Sequence, residues 1–247
     1  MQMDLMLNGW RRRIGFICPS VLETTIPNFT SFAPEGIGLC AITSNIRDWD
    51  KGEFERAMNQ VVMDAQSLAT RHVDYIIFSG GPLLTSRGKG ADVELTDRIS
   101  ETTGLPSTTT IMSAVRALKH LDIHRLVVLT PFPEHVQKAT IEFLRSHNLE
   151  VLKDDSMDIG FRDLHKVLPS DIYHRAGKLL SSTPEAEGLY IPCPQWPAQK
   201  AVVAIEHDFG KPVVSCDPAD FWMAFRAMGI RDRIEGRGRL LESLSKH

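Results

Sequence analysis

A cysteine set between prolines at the end of an apolar run is the residue of this chain most suited to chemistry. It stands in Gly188-Leu189-Tyr190-Ile191-Pro192-Cys193-Pro194-Gln195-Trp196-Pro197. The run has strand character, and a helical pattern over 198–209 follows at once. A thiol so placed sits at the carboxyl end of a strand, where open α/β sheets hold their ligands. The nearby helix N-terminus favours thiolate over thiol. Cys193 is therefore the candidate catalytic group. The competing reading is a small buried hydrophobe, the commoner role of a free cysteine.

A second stretch offers backbone chemistry. Ser79-Gly80-Gly81-Pro82 breaks a strand at 73–78, and two adjacent glycines let main-chain amides approach a ligand where a Cβ would block them. Such N–H clusters form anion nests; a tight turn without ligand is the alternative. Pro19 and Ser20 open a polar, proline-punctuated stretch over 20–33 at the end of a first strand, 13–18. This stretch reads as a loop placed to contact ligand.

The elements that must position these groups follow from periodicity. Short apolar strands at 13–18, 36–42, 73–78, 105–110, 126–129, 150–152, 188–191 and 211–216 alternate with helical patterns, as in α/β folds. The segment 154–169 reads as irregular. Three features recur in the same order at a spacing of about 110 residues. Ile14 to Pro19 matches Leu126 to Pro131, Asp74 to Gly80 matches Glu187 to Cys193, and Leu105 to Thr109 matches Lys211 to Ser215. A duplicated unit is expected: two pseudo-symmetric Rossmann-like lobes, each a mostly parallel sheet flanked by helices. Residues 1–112 with 215–247 would form one lobe and 113–214 the other, with the tail from 231 closing over one of them. A shared cleft would then set Gly80 and Cys193 across one small ligand.

Composition narrows the class. The chain has 247 residues, 43% hydrophobic and 24% charged, with a formal net charge of -3. That is an ordinary globular composition without the electrostatic footprint of a nucleic-acid binder. No apolar run approaches the ~20 residues of a membrane span, and a cytoplasmic location is expected. Cys18, Cys40, Cys193 and Cys216 lack the spacing of a zinc site or a disulfide framework. No dinucleotide or phosphate-loop motif appears. Neither a metal nor a cofactor is expected, and the sequence is compatible with a homo-oligomer.

These segments, with Pro212-Val213-Val214-Ser215, Pro218-Ala219-Asp220-Phe221-Trp222 and Gly236-Arg237-Gly238-Arg239-Leu240, give the chain a resemblance over nearly its whole length. It resembles the aspartate/glutamate racemase superfamily, in the branch of arylmalonate decarboxylases and maleate cis-trans isomerases. Racemases and isomerases of this superfamily use two facing cysteines, whereas the decarboxylase keeps the second and has glycine for the first. This chain has that single-cysteine pattern, Gly80 and Cys193. It departs from the decarboxylase at Gly81 and Pro82, where hydroxyl residues line a dioxyanion pocket, and at Phe132, which replaces a phenol. Pro194 and Gln195 follow the cysteine in place of glycines, and Pro194 has no N–H to donate. The isomerases' first-loop asparagine is also absent.

The resemblance implies a cofactor-independent decarboxylase of a 2-substituted malonate or similar small diacid. Gly80 and Gly81 amides with Ser20, Ser79 and Thr130 would hold the remaining carboxylate, and Cys193, as a neutral thiol, would protonate the enediolate. From their residue type alone, Phe132 and Trp196 would either form an apolar wall beside the substrate or belong to the core. A maleate-type isomerase using Cys193 as nucleophile, a racemase, and a non-catalytic carboxylate sensor are the alternatives.

Overall fold

Two separate four-stranded sheets, each wholly parallel, carry the residues described, 8–246 of a computed structural model. The first sheet takes β1 (Arg12–Cys18), β2 (Ile37–Thr43), β3 (Tyr75–Phe78) and β4 (Ser107–Thr109) in the order β2-β1-β3-β4. Its connections are α1 (Thr25–Phe32), α2 (Lys51–Ala69), α3 (Gly81–Thr85) and α4 (Ala91–Thr103). After α5 (Thr110–His120) the order recurs in the second sheet. Here β5 (Arg125–Thr130), β6 (Glu150–Ser156), β7 (Gly188–Ile191) and β8 (Val213–Ser215) run β6-β5-β7-β8. Their connections hold α6 (Glu134–Ser146), a 3-10 helix at Phe161–Lys166, α7 (Pro169–Ser181) and α8 (Gln199–Phe209); α9 (Cys216–Ala227) and α10 (Arg239–Glu242) follow. The identical strand orders are the two-lobed α/β fold that the internal repeat predicts.

The strands form where the sequence places apolar runs because both faces of each sheet are covered, as all-parallel sheets require. In β5 the alternation is visible: Leu126 and Val128 join the larger core, while Val127 and Leu129 join a second core under α7 and α8. Capping sets the helix ends. The Asp50 carboxylate accepts from the N–H groups of Gly52 at 2.8 Å and Glu53 at 3.2 Å, which starts α2. Gly104 and Gly210 stop α4 and α8 in the left-handed conformation, φ 71° and 67°.

Two connections differ from the sequence reading. The stretch 20–33 contains α1, with Pro27 at its third position. A proline is tolerated in a first turn because its missing N–H has no intrahelical partner there. Phe29 and Phe32, one turn apart and buried against the Phe221 ring, are the amphipathic signal that marks it. The stretch 154–169 is also more ordered than irregular, since β6 continues to Ser156 and the 3-10 helix follows.

The end of the chain ties the lobes together. α9 follows the second sheet yet packs on α1, α5, β3 and β4. Beyond it Leu240 and Leu241 are buried, and the Arg239 N–H donates to Glu206 of α8 at 2.9 Å. The tail thus meets α8 and α9 rather than closing over a single lobe. No helix among the described residues is long and apolar enough to cross a membrane.

Candidate active site

The carboxyl ends of both sheets converge on one narrow cavity of about 40 Å³. β1 supplies Cys18, Pro19 and Ser20; β3 leads into Ser79, Gly80 and Gly81; β7 leads into Cys193, Pro194 and Gln195. Each side chain is fixed by the sharp exit of a buried strand, and two hydrogen bonds join the exits across the lobes. Gln195 Nε2 donates to Ser20 Oγ, and Thr24 Oγ1 donates to the Pro194 carbonyl.

Cys193 is 2% exposed. Burial pushes its thiol up to about 12, against the opposing pull of the Gln195 and Trp196 N–H groups. The expected preference for thiolate is therefore corrected: α8 begins only at Gln199, and desolvation outweighs any helix-terminus effect. A neutral thiol is an acid, and here it faces the same cavity as the paired glycines. Gly80 has an ordinary negative φ of -132°. A Cβ at position 80 would meet the far end of the Phe78 ring, so a larger residue there requires that ring to shift. That ring occupies the room a second thiol at this position would need.

Of the sequence-predicted residues, Pro19, Ser20, Ser79, Gly80, Gly81, Phe132, Cys193, Pro194 and Gln195 line the cavity. Thr130 does not. Its hydroxyl donates to Gln137 Oε1 and accepts the Phe132 N–H at 3.2 Å, while Gln137 passes on to Asp154 at 2.6 Å. Thr130 therefore shapes the turn that presents Phe132. Trp196 is also turned away, buried in the core under α8.

The structure adds residues that the sequence reading passed over. Trp49, in the loop after β2, closes the cavity with two edge-on contacts, to Phe132 at 5.2 Å and Phe161 at 4.8 Å. Its indole N–H reaches the Ile159 carbonyl at 3.4 Å. Cys18 and Cys216 bring two further buried thiols to the lining, and burial pushes both up in pKa, Cys18 to about 12. Cys18 repeats the Cys-Pro pattern of Cys193 at another strand end, a signal that could have been read. Thr110, first residue of α5, and Tyr190 of β7 complete the wall. The arrangement is a mostly apolar chamber with hydroxyls and main-chain amides at one edge and a neutral acid at another. It can hold a small organic anion and hand it a proton.

Known proteins share this arrangement of the chain. A family model described as arylmalonate decarboxylase matches residues 14–241. The arylmalonate decarboxylase of Bordetella bronchiseptica is 26% identical over 213 residues, covering 85% of this chain and 86% of that protein. A maleate isomerase of Pseudomonas putida is 23% identical, covering 93% and 96%. Among solved structures, arylmalonate decarboxylase superposes with a TM-score of 0.83 at 24% identity, covering 94% of this chain and 99% of that one. The maleate isomerase Iso from Pseudomonas putida S16 gives 0.87 at 22% identity, with coverage of 94% and 99%.

Proposed function

The chain belongs to the arylmalonate decarboxylase family, and from that premise we propose that it is a cofactor-independent decarboxylase of a 2-substituted malonate or related small diacid. The observation that carries this reading is the Cys193 thiol, buried and raised to about 12 in a cavity it shares with the Gly80-Gly81 turn. One substrate carboxylate rests against those amides and the hydroxyls of Ser20 and Ser79. As the other leaves as CO2, the electron pair of the broken carbon–carbon bond passes into the remaining carboxylate and forms an enediolate. Each preorganised donor aimed at that charge contributes ~3 kcal/mol. Cys193 then gives its proton to the α-carbon, and the thiolate left behind is reprotonated from solvent.

The same observation weighs against the isomerase reading, which needs a thiolate nucleophile that burial disfavours. The apolar wall of Trp49, Phe132 and Phe161 suits an aromatic or branched substituent on the substrate. For the two lobes we assign 1–112 with 215–247 to one and 113–214 to the other. The packing of α9 on β3 and β4 supports that division.

The test is turnover of phenylmalonate in deuterated water, followed by proton NMR. The expected product is phenylacetate with one solvent deuteron at its α-carbon, and Cys193→Ala abolishes its formation while still binding phenylacetate. Undiminished turnover by Cys193→Ala would sink the proposal, and fumarate formed from maleate without decarboxylation would replace it with the isomerase.

A further inference from the structure

Four buried polar atoms gather at one wall of the cavity, Ser79 Oγ, Thr110 Oγ1 and both carboxyl oxygens of Asp220; the two hydroxyls lie close enough to act on the carboxyl, but none of the four atoms makes a well-formed hydrogen bond. Buried polar groups in native proteins are almost always paired, and hydroxyls held near a carboxyl without well-formed bonds to it keep their O–H groups available to a ligand in the adjoining cavity. Ser79 and Thr110 line the cavity, at 4% and 2% exposure. Asp220, on the buried face of α9, is wholly inaccessible and stands behind them.

The protonation state of Asp220 decides what the two hydroxyls present to the cavity. An ionised carboxylate is acceptor-only and would draw both O–H bonds toward itself, leaving oxygen lone pairs facing the substrate. A neutral acid makes no such demand, and both O–H bonds can point at an anion. Burial pushes the Asp220 pKa well above the carboxylate range, and the nearby hydroxyls of Thr110, Ser113 and Ser79 oppose it only in part. Asp217, on the same helix, raises it further. The other ionisable groups around it are Cys216, Cys18 of β1, Tyr190 of β7 and Tyr75 of β3, and burial pushes each of these up as well. On α5, the Arg116 guanidinium is directed to Met223 Sδ at 3.7 Å and the His120 ring lies against Trp222. Among the described residues, the largest influences on Asp220 come from burial, the neighbouring hydroxyls and Asp217, and none of these is a cation.

We propose that Thr110 joins Ser79 as an anion-binding hydroxyl beside Ser20, and that Asp220 is a positioning residue, a neutral acid that leaves the O–H bonds of Ser79 and Thr110 free to meet a substrate carboxylate. This deepens the decarboxylase reading and rests on it. It also supplies, from the ends of β3 and β4, the hydroxyl donors that Gly81, Pro82 and Phe132 cannot offer.

Calorimetric binding of phenylacetate at neutral pH, with phenylacetamide as the uncharged control, tests the assignment. Ser79→Ala and Thr110→Val are each expected to weaken phenylacetate about tenfold to a hundredfold, the span of one hydrogen bond to a charged group, and to change phenylacetamide binding far less. Asp220→Asn, which is neutral at every pH and similar in shape, is expected to bind phenylacetate as the wild type does. A structural role alone would move both ligands together. Wild-type affinity in Ser79→Ala and Thr110→Val, or a loss of phenylacetate affinity in Asp220→Asn as large as in Ser79→Ala, overturns the proposal, as does failure of the wild type to bind phenylacetate. Binding that responds to these variants without turnover of phenylmalonate supports the hydroxyl pair and overturns the decarboxylase reading alone.

Discussion

At Cys193 the controlling quantity is the polarity of the surroundings. A thiolate enclosed with Trp49, Phe132 and Phe161 loses its hydration, and two main-chain N–H groups do not replace it. The thiol therefore stays protonated at neutral pH, which suits an acid and handicaps a nucleophile. Alkylation of Cys193 by iodoacetamide, read by peptide mass spectrometry, is expected to be slow at pH 7. It should rise about tenfold per pH unit to pH 9 without levelling, because only the thiolate reacts. A plateau below pH 9 would contradict the buried neutral thiol. At the opposite wall, Gly80 leaves the Phe78 ring in place. The single-thiol pattern thus goes with a Phe78 ring that a thiol at position 80 would have to displace.

Two elements brace the site from behind and above. Asp217, at the start of α9, accepts hydrogen bonds from Thr25 Oγ1 at 3.0 Å and Asn28 Nδ2 at 2.8 Å, clamping α1 to α9. Burial raises its pKa from 3.8 to about 7. The folded chain therefore holds this proton more tightly than the unfolded chain, and stability falls as pH rises through that window. The melting temperature of the wild type relative to Asp217→Asn is expected to drop between pH 4 and pH 7 and to level off above. A difference independent of pH would exclude the buried acid. Above the cavity, the loop carrying Trp49 contributes two aromatic contacts of ~0.5–1.5 kcal/mol each. Trp49→Ala should raise KM for phenylmalonate about tenfold and that for methylmalonate far less, by steady-state kinetics with each substrate.

Across the whole molecule, the cavity exists because two similar sheets present their carboxyl ends to each other. That juxtaposition depends on the bridges Gln195 to Ser20 and Thr24 to Pro194, and on the tail that spans α8 and α9. Leu241, fully buried in α10, anchors this tail. Leu241→Ala is expected to cost about 2–5 kcal/mol, the range for a leucine deleted from a packed core, measured by urea unfolding. A change below about 0.5 kcal/mol, as is usual at surface positions, would show that the tail does not brace the lobes.

The amino-acid sequence by itself determined the alternation of strands and helices, the duplicated order of the two sheets, and the strand ends that carry Gly80 and Cys193. These are legible because strand and helix leave local periodicities and because prolines and glycines mark where strands stop. Only the tertiary structure decided that Thr130 turns to Gln137, that Trp196 enters the core, and that Trp49 and Thr110 join the cavity. Nor did any local pattern mark Asp220, which reads as one more acid on a helix until α9 folds back onto the first sheet. Contacts between residues more than a hundred positions apart leave no periodic trace in the chain. Their outcome is set by which faces the packed lobes seal from water.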